Sequence, residues 1–182
     1  MFNLHGYGPS IIEGTLLTLQ VSLSSLVIAM LLGILGALAK LSPSKPLQLS
    51  AQTYTTIIRG IPDLVLMLLV FFGGQVFINQ LAAWVGYEEY IDINPFMAGV
   101  STIGFIFGAY MTETFRGAIL AVPRGQIEAA YAYGMTRSQM FIRVLLPQMT
   151  RHAIPGFGNN WLVMVKTTAL VSIIGLDDMV RK

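Results

Sequence analysis

Four ionisable side chains, Asp63, Glu113, Arg116 and Lys166, stand inside or at the edge of runs that are otherwise apolar. A charge at the centre of a bilayer costs about 2.5–3.5 kcal/mol on insertion scales, so each needs a counter-charge or an aqueous cavity. Glu113 and Arg116 are one helical turn apart and can neutralise each other, with the arginine reaching toward the interface. Glu113 precedes Pro123 by ten residues, about 15 Å of helix, which sets it near the midplane. Asp63 follows the breaker Arg59-Gly60-Ile61-Pro62, and two readings of it stay open. As a first-turn carboxylate it interacts favourably with the helix dipole, by about 0.3–1 kcal/mol. As a carboxylate beside a broken helix it is placed to hold an ammonium or guanidinium group in transit. Lys166 fits a structural or gating charge better than a ligand, because it would repel such a cation. Thr112, with Tyr110, Thr114, Asn159, Asn160 and Thr167, is available to line a path, although hydroxyls and amides in membrane helices also serve simply as interhelical hydrogen-bonding groups.

Other chemistries find little support. The chain has no cysteine, so disulfides, thiolate catalysis and cysteine-ligated zinc are excluded. His5 and His152 are far apart and show no HExxH spacing, and no phosphate-binding G-x-x-x-x-G-K-[ST] occurs. No nucleophile is paired in sequence with a histidine or a second carboxylate, which argues against an intramembrane hydrolase.

The elements that position these residues follow from hydropathy. Of 182 residues, 54% are hydrophobic and 11% charged, with a mean hydropathy of +0.68, whereas soluble domains carry about a quarter charged residues. Between Glu13 and Lys40 lie 26 uncharged residues, enough for a first span at about 20 residues each. No cleavable leader is expected, since the first apolar run starts late and lacks a basic segment before it. Residues 47–84 would form about 57 Å of helix against a core of roughly 30 Å, so the Arg59-Gly60-Ile61-Pro62 break divides them. An interfacial helix over 48–58 and a span over 62–84, with Pro62 as its first residue, result. A third span is expected over 95–120, where Gly104 and Gly108 form a GxxxG for close helix packing. A fourth runs over about 152–176 and ends at Asp177-Asp178. Seven basic residues, Lys40, Lys45, Arg59, Arg124, Arg137, Arg143 and Arg151, fall on one side, and the acidic Glu88-Glu89-Tyr90-Ile91-Asp92 stretch on the other. The positive-inside rule makes the basic side cytoplasmic and puts the N-terminus outside.

One cytoplasmic stretch, residues 126–147, is polar and punctuated. Its first half is a short helix containing Glu128, Ala129, Ala130 and Ala132, closed by Gly134 in the left-handed position. A second helix restarts with Thr136 and Gln139 as a capping box, carries Arg137 and Arg143 around Met140 and Phe141, and stops at Pro147. Helix, glycine turn, helix is a compact knob whose alanines allow another backbone to come close; a cytoplasmic loop with two amphipathic helices would look the same.

Glu128-Ala129-Ala130 followed by Gly134 and then Leu146-Pro147 resembles the EAA loop of ABC-importer permeases. The segments 57–66 (IIRGIPDLVL) and 109–118 (AYMTETFRGA), with Leu170-Val171-Ser172, extend the likeness over nearly the whole chain. It is to the polar amino acid family, on the side of its members that serve histidine, lysine, arginine and ornithine. The resemblance implies an all-α, polytopic type I importer permease in a bacterial inner membrane, as a single transmembrane domain over 1–182 with a coupling loop at 124–147. It implies no catalytic site, metal or cofactor in this chain, ATP and magnesium being bound by partners. Those partners would be a second homologous permease chain, two ATP-binding subunits and a periplasmic amino-acid-binding protein. Glu128, Ala129, Ala130, Gly134 and Arg137 would meet the ATP-binding subunit, and Asp63, Glu113, Arg116 and Thr112 would lie near the substrate, unless the sister chain forms that site. Members of the family have a further span beyond the fourth, so the sequence is expected to be truncated. The rival is an ion-coupled carrier or channel using Glu113 and Asp63 as a cation or proton path.

Overall fold

In the computed structural model, which describes residues 8–87 and 89–174, apolar length decides which helices can cross a bilayer. Three are long and apolar enough: α1 (Gly8–Leu41), α3 (Asp63–Trp84) and α4 (Pro95–Leu120). Between the first two lies α2 (Lys45–Gly60), and after α4 come α5 (Arg124–Ala132), α6 (Arg137–Met140) and α7 (Leu146–Thr167), continued by a 3-10 segment, Thr168–Ile174. No strand occurs among the described residues. Glu88 of the acidic loop, and Asp177-Asp178 at the expected end of the fourth span, lie outside them.

Helix α4 is the central post. Asn94 starts it by accepting from the backbone N–H of Phe96 at 2.9 Å and Met97 at 3.3 Å, and Pro95 occupies a first-turn position where its missing N–H costs nothing. Its buried residues, including Ile103, Ile106, Phe107 and Met111, run around much of its circumference because α1, α2, α3 and α7 all pack on it. The closest approach is to α1. A Cβ on Gly104 would lie 2.7 Å from Cβ of Ile28, one on Gly108 would lie 2.8 Å from Cβ of Leu32, and one on Gly36 of α1 would overlap the Thr112 hydroxyl. The GxxxG of α4 therefore packs on α1, with small residues on both sides of the seam. Ser25 Oγ closes it by donating to the Val100 carbonyl at 3.2 Å.

The opposite face of α1, through Leu16, Leu23, Val27, Leu31, Leu35 and Leu38, is exposed, as is much of α3, including Leu69, Phe72, Val76, Phe77 and Trp84. These are surfaces that hydrocarbon can solvate. Across the outer turn, Gln75 and Asn79 of α3 hold the chain before α4. Asn79 exchanges bonds with the Ile91 N–H at 2.8 Å and carbonyl at 2.9 Å, Gln75 accepts from the Ile93 N–H at 2.9 Å, and Gln75 also donates to the Ile91 carbonyl.

Several sequence expectations change. α2 is longer than 48–58, and Pro62 caps α3 from outside rather than serving as its first residue. A π turn, Leu69–Gly73, interrupts α3. Pro147 does not end the second cytoplasmic helix: a π segment, Phe141–Leu145, joins α6 to α7, and the Leu146 N–H reaches back five residues to the Phe141 carbonyl. The wider turn removes the demand for the N–H that proline lacks. α7 reaches 22 residues and carries Arg151, His152, Asn159, Asn160 and Lys166, so it is not among the three helices apolar enough by composition; the fourth span expected over about 152–176 runs beyond the described residues.

Candidate functional site

Two places concentrate polar chemistry inside the bundle, and a third projects from it. The first lies where α1 ends beside α4; because Glu113 meets the last turn of α1, it sits toward the basic end of the bundle rather than near the midplane expected from its distance to Pro123. Glu113 bonds Lys40, in the last turn of α1, through one carboxylate oxygen and the Nε of Arg116 at 3.0 Å through the other. The Lys40 side chain is 6% exposed and that of Arg116 38%, so the lysine is enclosed while the arginine fork reaches outward. The expected Glu113–Arg116 pair is present. Sequence reasoning missed Lys40, which stands 73 residues away; the signal available was its place as the only cation closing the first apolar run. Both oxygens carry a cationic donor, so the negative charge of Glu113 is already compensated within the chain.

The second place is the break between α2 and α3. Asp63 lies in the first turn of α3, half-buried, and no side-chain hydrogen bond or ion pair engages it among the described residues. Arg59, one turn before the break, stacks its guanidinium 5.3 Å from the ring centre of Tyr110, a cation–π arrangement. The charges of Arg59 and Asp63 both act on the Tyr110 hydroxyl, and Phe107 packs on that ring at 5.6 Å between centres. Asp63 is thus a carboxylate without a side-chain partner among the described residues, at a helix break whose other charge, Arg59, rests on Tyr110.

The remaining lining candidates divide. Thr112 is fully buried between α1 and α4 and donates to the Gly108 carbonyl at 2.8 Å; its position is a packing one. Asn160 of α7 donates to Thr114 at 2.9 Å, which joins α7 to α4 where a Cβ on Gly156 would lie 2.9 Å from Cγ2 of Thr114. Thr167 donates to its own helix at the Val163 carbonyl, 3.0 Å away. Lys166 is exposed on the surface of the chain, and among the described residues no acid pairs with it.

The third place is the knob. Gly134, at φ +78°, ends α5 in the left-handed region. The Met135 N–H reaches the Ala130 carbonyl at 3.1 Å and the Gly134 N–H reaches Tyr131 at 2.9 Å, the paired closure of a Schellman motif. Thr136 and Gln139 then complete a reciprocal capping box, with bonds of 2.9 and 3.3 Å. Glu128, Ala129, Gly134 and Arg137 are exposed, as is Tyr133 at 87%; Ala130 turns inward at 4%.

A bundle of apolar helices around a glycine-packed post, with an exposed capped knob on its basic side, defines the membrane-embedded part of a transporter. Residues 16–182 match the model of the binding-protein-dependent transport system inner membrane component family, and the chain belongs to that family. It is 53% identical over 178 residues to the histidine/lysine/arginine/ornithine transport system permease protein HisQ of Salmonella typhimurium, covering 98% of this chain and 78% of that one. It is 41% identical over 181 residues to the octopine transport system permease protein OccQ of Rhizobium radiobacter, covering 100% and 76%. The crystal structure of an amino acid ABC transporter with histidines superposes with a TM-score of 0.79 at 37% identity, over 96% of this chain and 76% of that one. The fold is that of a type I importer permease, and such a component works with ATP-binding and substrate-binding partners.

Proposed function

We propose that this permease passes basic and polar amino acids, the histidine, arginine, lysine and ornithine class, by alternating access driven from separate ATP-binding subunits. The observation that carries the substrate class is Asp63: a carboxylate without a partner at a helix break, beside the Tyr110 ring. A guanidinium or ammonium group in transit supplies the missing counter-charge, and reaches the Tyr110 ring only if it displaces Arg59 from it. The names of the relatives run the same way, since one serves histidine, lysine, arginine and ornithine. Glu113 and Arg116 act in this reading as a pair whose exchange of partners accompanies passage, and Thr112 supports them by packing.

The energy enters at the knob. Glu128, Ala129, Gly134 and Arg137 form the surface met by an ATP-binding subunit, with Ala130 packed beneath it. ATP closes a pair of such subunits, two knobs draw together, one from this chain and one from a homologous permease, and the helices turn outward to take substrate from the binding protein. ATP and magnesium stay with the partners, and this chain contributes no catalysis.

Proteoliposomes of the assembled transporter, supplied with its binding protein and labelled arginine or histidine, test this. Uptake is expected to require internal ATP, to ignore a protonophore and to disappear when the ATP-binding subunit is left out. Collapse by a protonophore, with indifference to that subunit, would give the chain to the ion-coupled carrier instead. Asp63→Asn is expected to raise the KM for arginine about ten-fold or more, the loss of a charge-assisted contact of roughly 1.5–3 kcal/mol, with melting lowered by no more than a few degrees, the share of the helix dipole. Normal transport by that variant makes Asp63 a helix-start residue only.

A further inference from the structure

Where α1 gives way to α2, a cavity of about 520 Å³ opens against the flank of α4, lined by Lys40, Lys45, Gln48, Leu49, Gln52 and Arg116. Its volume lies in the range of small-molecule sites, about 300–1,000 Å³. Three cations line it and, among the described residues, no acid does; Glu113, bonded to two of those cations, has both oxygens engaged. The ammonium of Lys45 and the two terminal nitrogens of Arg116 have no protein partner among the described residues, because Arg116 uses only its Nε on Glu113. Five N–H groups of a guanidinium suit a phosphate fork, and the Nε–carboxylate bond fixes the plane in which the other nitrogens are presented.

The remaining lining narrows the ligand. The Gln48 amide nitrogen donates to the Ser42 carbonyl at 2.5 Å and that of Gln52 to Thr56 at 3.3 Å, which leaves the amide oxygens for hydroxyl donors. Leu49 brings exposed apolar surface to the same rim. Phosphate, hydroxyl and hydrocarbon requirements thus meet at one mouth on the basic side of the bundle, where anionic lipids gather and cations between helices capture their headgroups.

We propose that this cavity holds the phosphate of a hydroxylated anionic phospholipid, of the phosphatidylglycerol kind, from the cytoplasmic leaflet. Because Arg116 faces both the headgroup and Glu113, an occupied cavity shares the guanidinium between two anions and loosens its hold on the carboxylate. Lipid composition then acts on the α1–α4 ion-pair hub. The proposal uses the inner-side placement of the α1–α2 turn and nothing about the substrate, so its failure and that of the transport reading are separable.

Native mass spectrometry of the assembled transporter, extracted from vesicles of phosphatidylcholine with phosphatidylglycerol, tests it by lipid retention rather than by uptake. Retained phosphatidylglycerol is expected to fall about five-fold in Lys45→Gln, the equivalent of the roughly 1 kcal/mol that one basic residue contributes at an anionic surface. It is expected to fall further in Lys45→Gln with Arg116→Gln, and to hold in Arg151→Gln, a cation outside the cavity. Retention unchanged in Lys45→Gln, an equal loss in Arg151→Gln, or equal retention of phosphatidylcholine overturns the site. Displacement of the lipid by inorganic phosphate alone assigns the cavity to a free anion and overturns the lipid.

Discussion

The α1–α4 seam and the α5–α6 knob are built on opposite principles. Across the seam, stabilisation comes from residues distant in sequence: Gly104 under Ile28, Thr112 under Gly36, Ser25 on the Val100 carbonyl, Lys40 on Glu113. In the knob every bond that sets the shape is local, the Schellman closure at Gly134 and the capping box at Thr136, while Glu128, Arg137 and Tyr133 remain exposed. The seam satisfies itself within one chain. The knob has a self-sufficient backbone and a surface that this chain leaves bare, which is the arrangement expected of a part that answers to another molecule. Substitutions in the two regions should therefore separate stability from transport.

The largest effect is expected at the seam. Gly104→Leu inserts a side chain where even a Cβ would lie 2.7 Å from Ile28 and 3.2 Å from the Ser25 carbonyl. Overpacking of this kind costs about 1–3 kcal/mol, and more when backbone stands in the way. Thermal melting of the complex in detergent should fall by roughly 2–4 °C for each kcal/mol in a chain of this size, or the chain should fail to accumulate. A Gly104→Leu protein that accumulates and melts like the parent would show that α1 and α4 can part at no cost, and the contrast with the knob would dissolve.

Glu113→Gln comes next. It keeps the shape of the side chain but leaves Lys40 enclosed without its counter-charge, and enclosed unpaired charges are costly. Hydrogen bonds to charged groups contribute about 1.5–3 kcal/mol, and the low end applies here because Arg116 can turn to solvent. A double-mutant cycle with Lys40→Met reads the coupling directly. Additive losses within about 0.5 kcal/mol would mean that Lys40 and Glu113 stand together without holding the seam.

What could be read from the sequence follows the same division. Gly134 and the Thr136–Gln139 box were legible because a left-handed closure and a reciprocal cap are set by residues within a few positions of each other. The helices over 62–84 and 95–120 were legible from apolar length to within one residue. Lys40 as the partner of Glu113 was not, since nothing local to either residue fixes how far α1 slides along α4. For Thr112, polarity does not reveal which side of a helix faces a neighbour; the contact with Gly36 places it in the α1–α4 seam. Pro147 looked like a stop, and the wider π turn before it let the chain continue as α7, an adjustment that proline itself does not announce.

Gly134→Asp is expected to have the smallest effect on folding of the three and the widest gap between folding and function. At φ +78° a side chain is strained by about 1–2 kcal/mol, with aspartate among the residues that tolerate this region best. The space around a Cβ there is empty to 4 Å, so no clash adds to the strain. Melting should move by no more than a few degrees, and insertion should be normal. Uptake should nevertheless fall to background while ATP hydrolysis by the partner subunits persists, because the carboxylate would stand on the exposed turn that closes α5, where a docking surface needs close backbone approach. If uptake instead tracked the small loss of stability, the knob would be only a well-capped turn, and its bare surface would have to find another explanation.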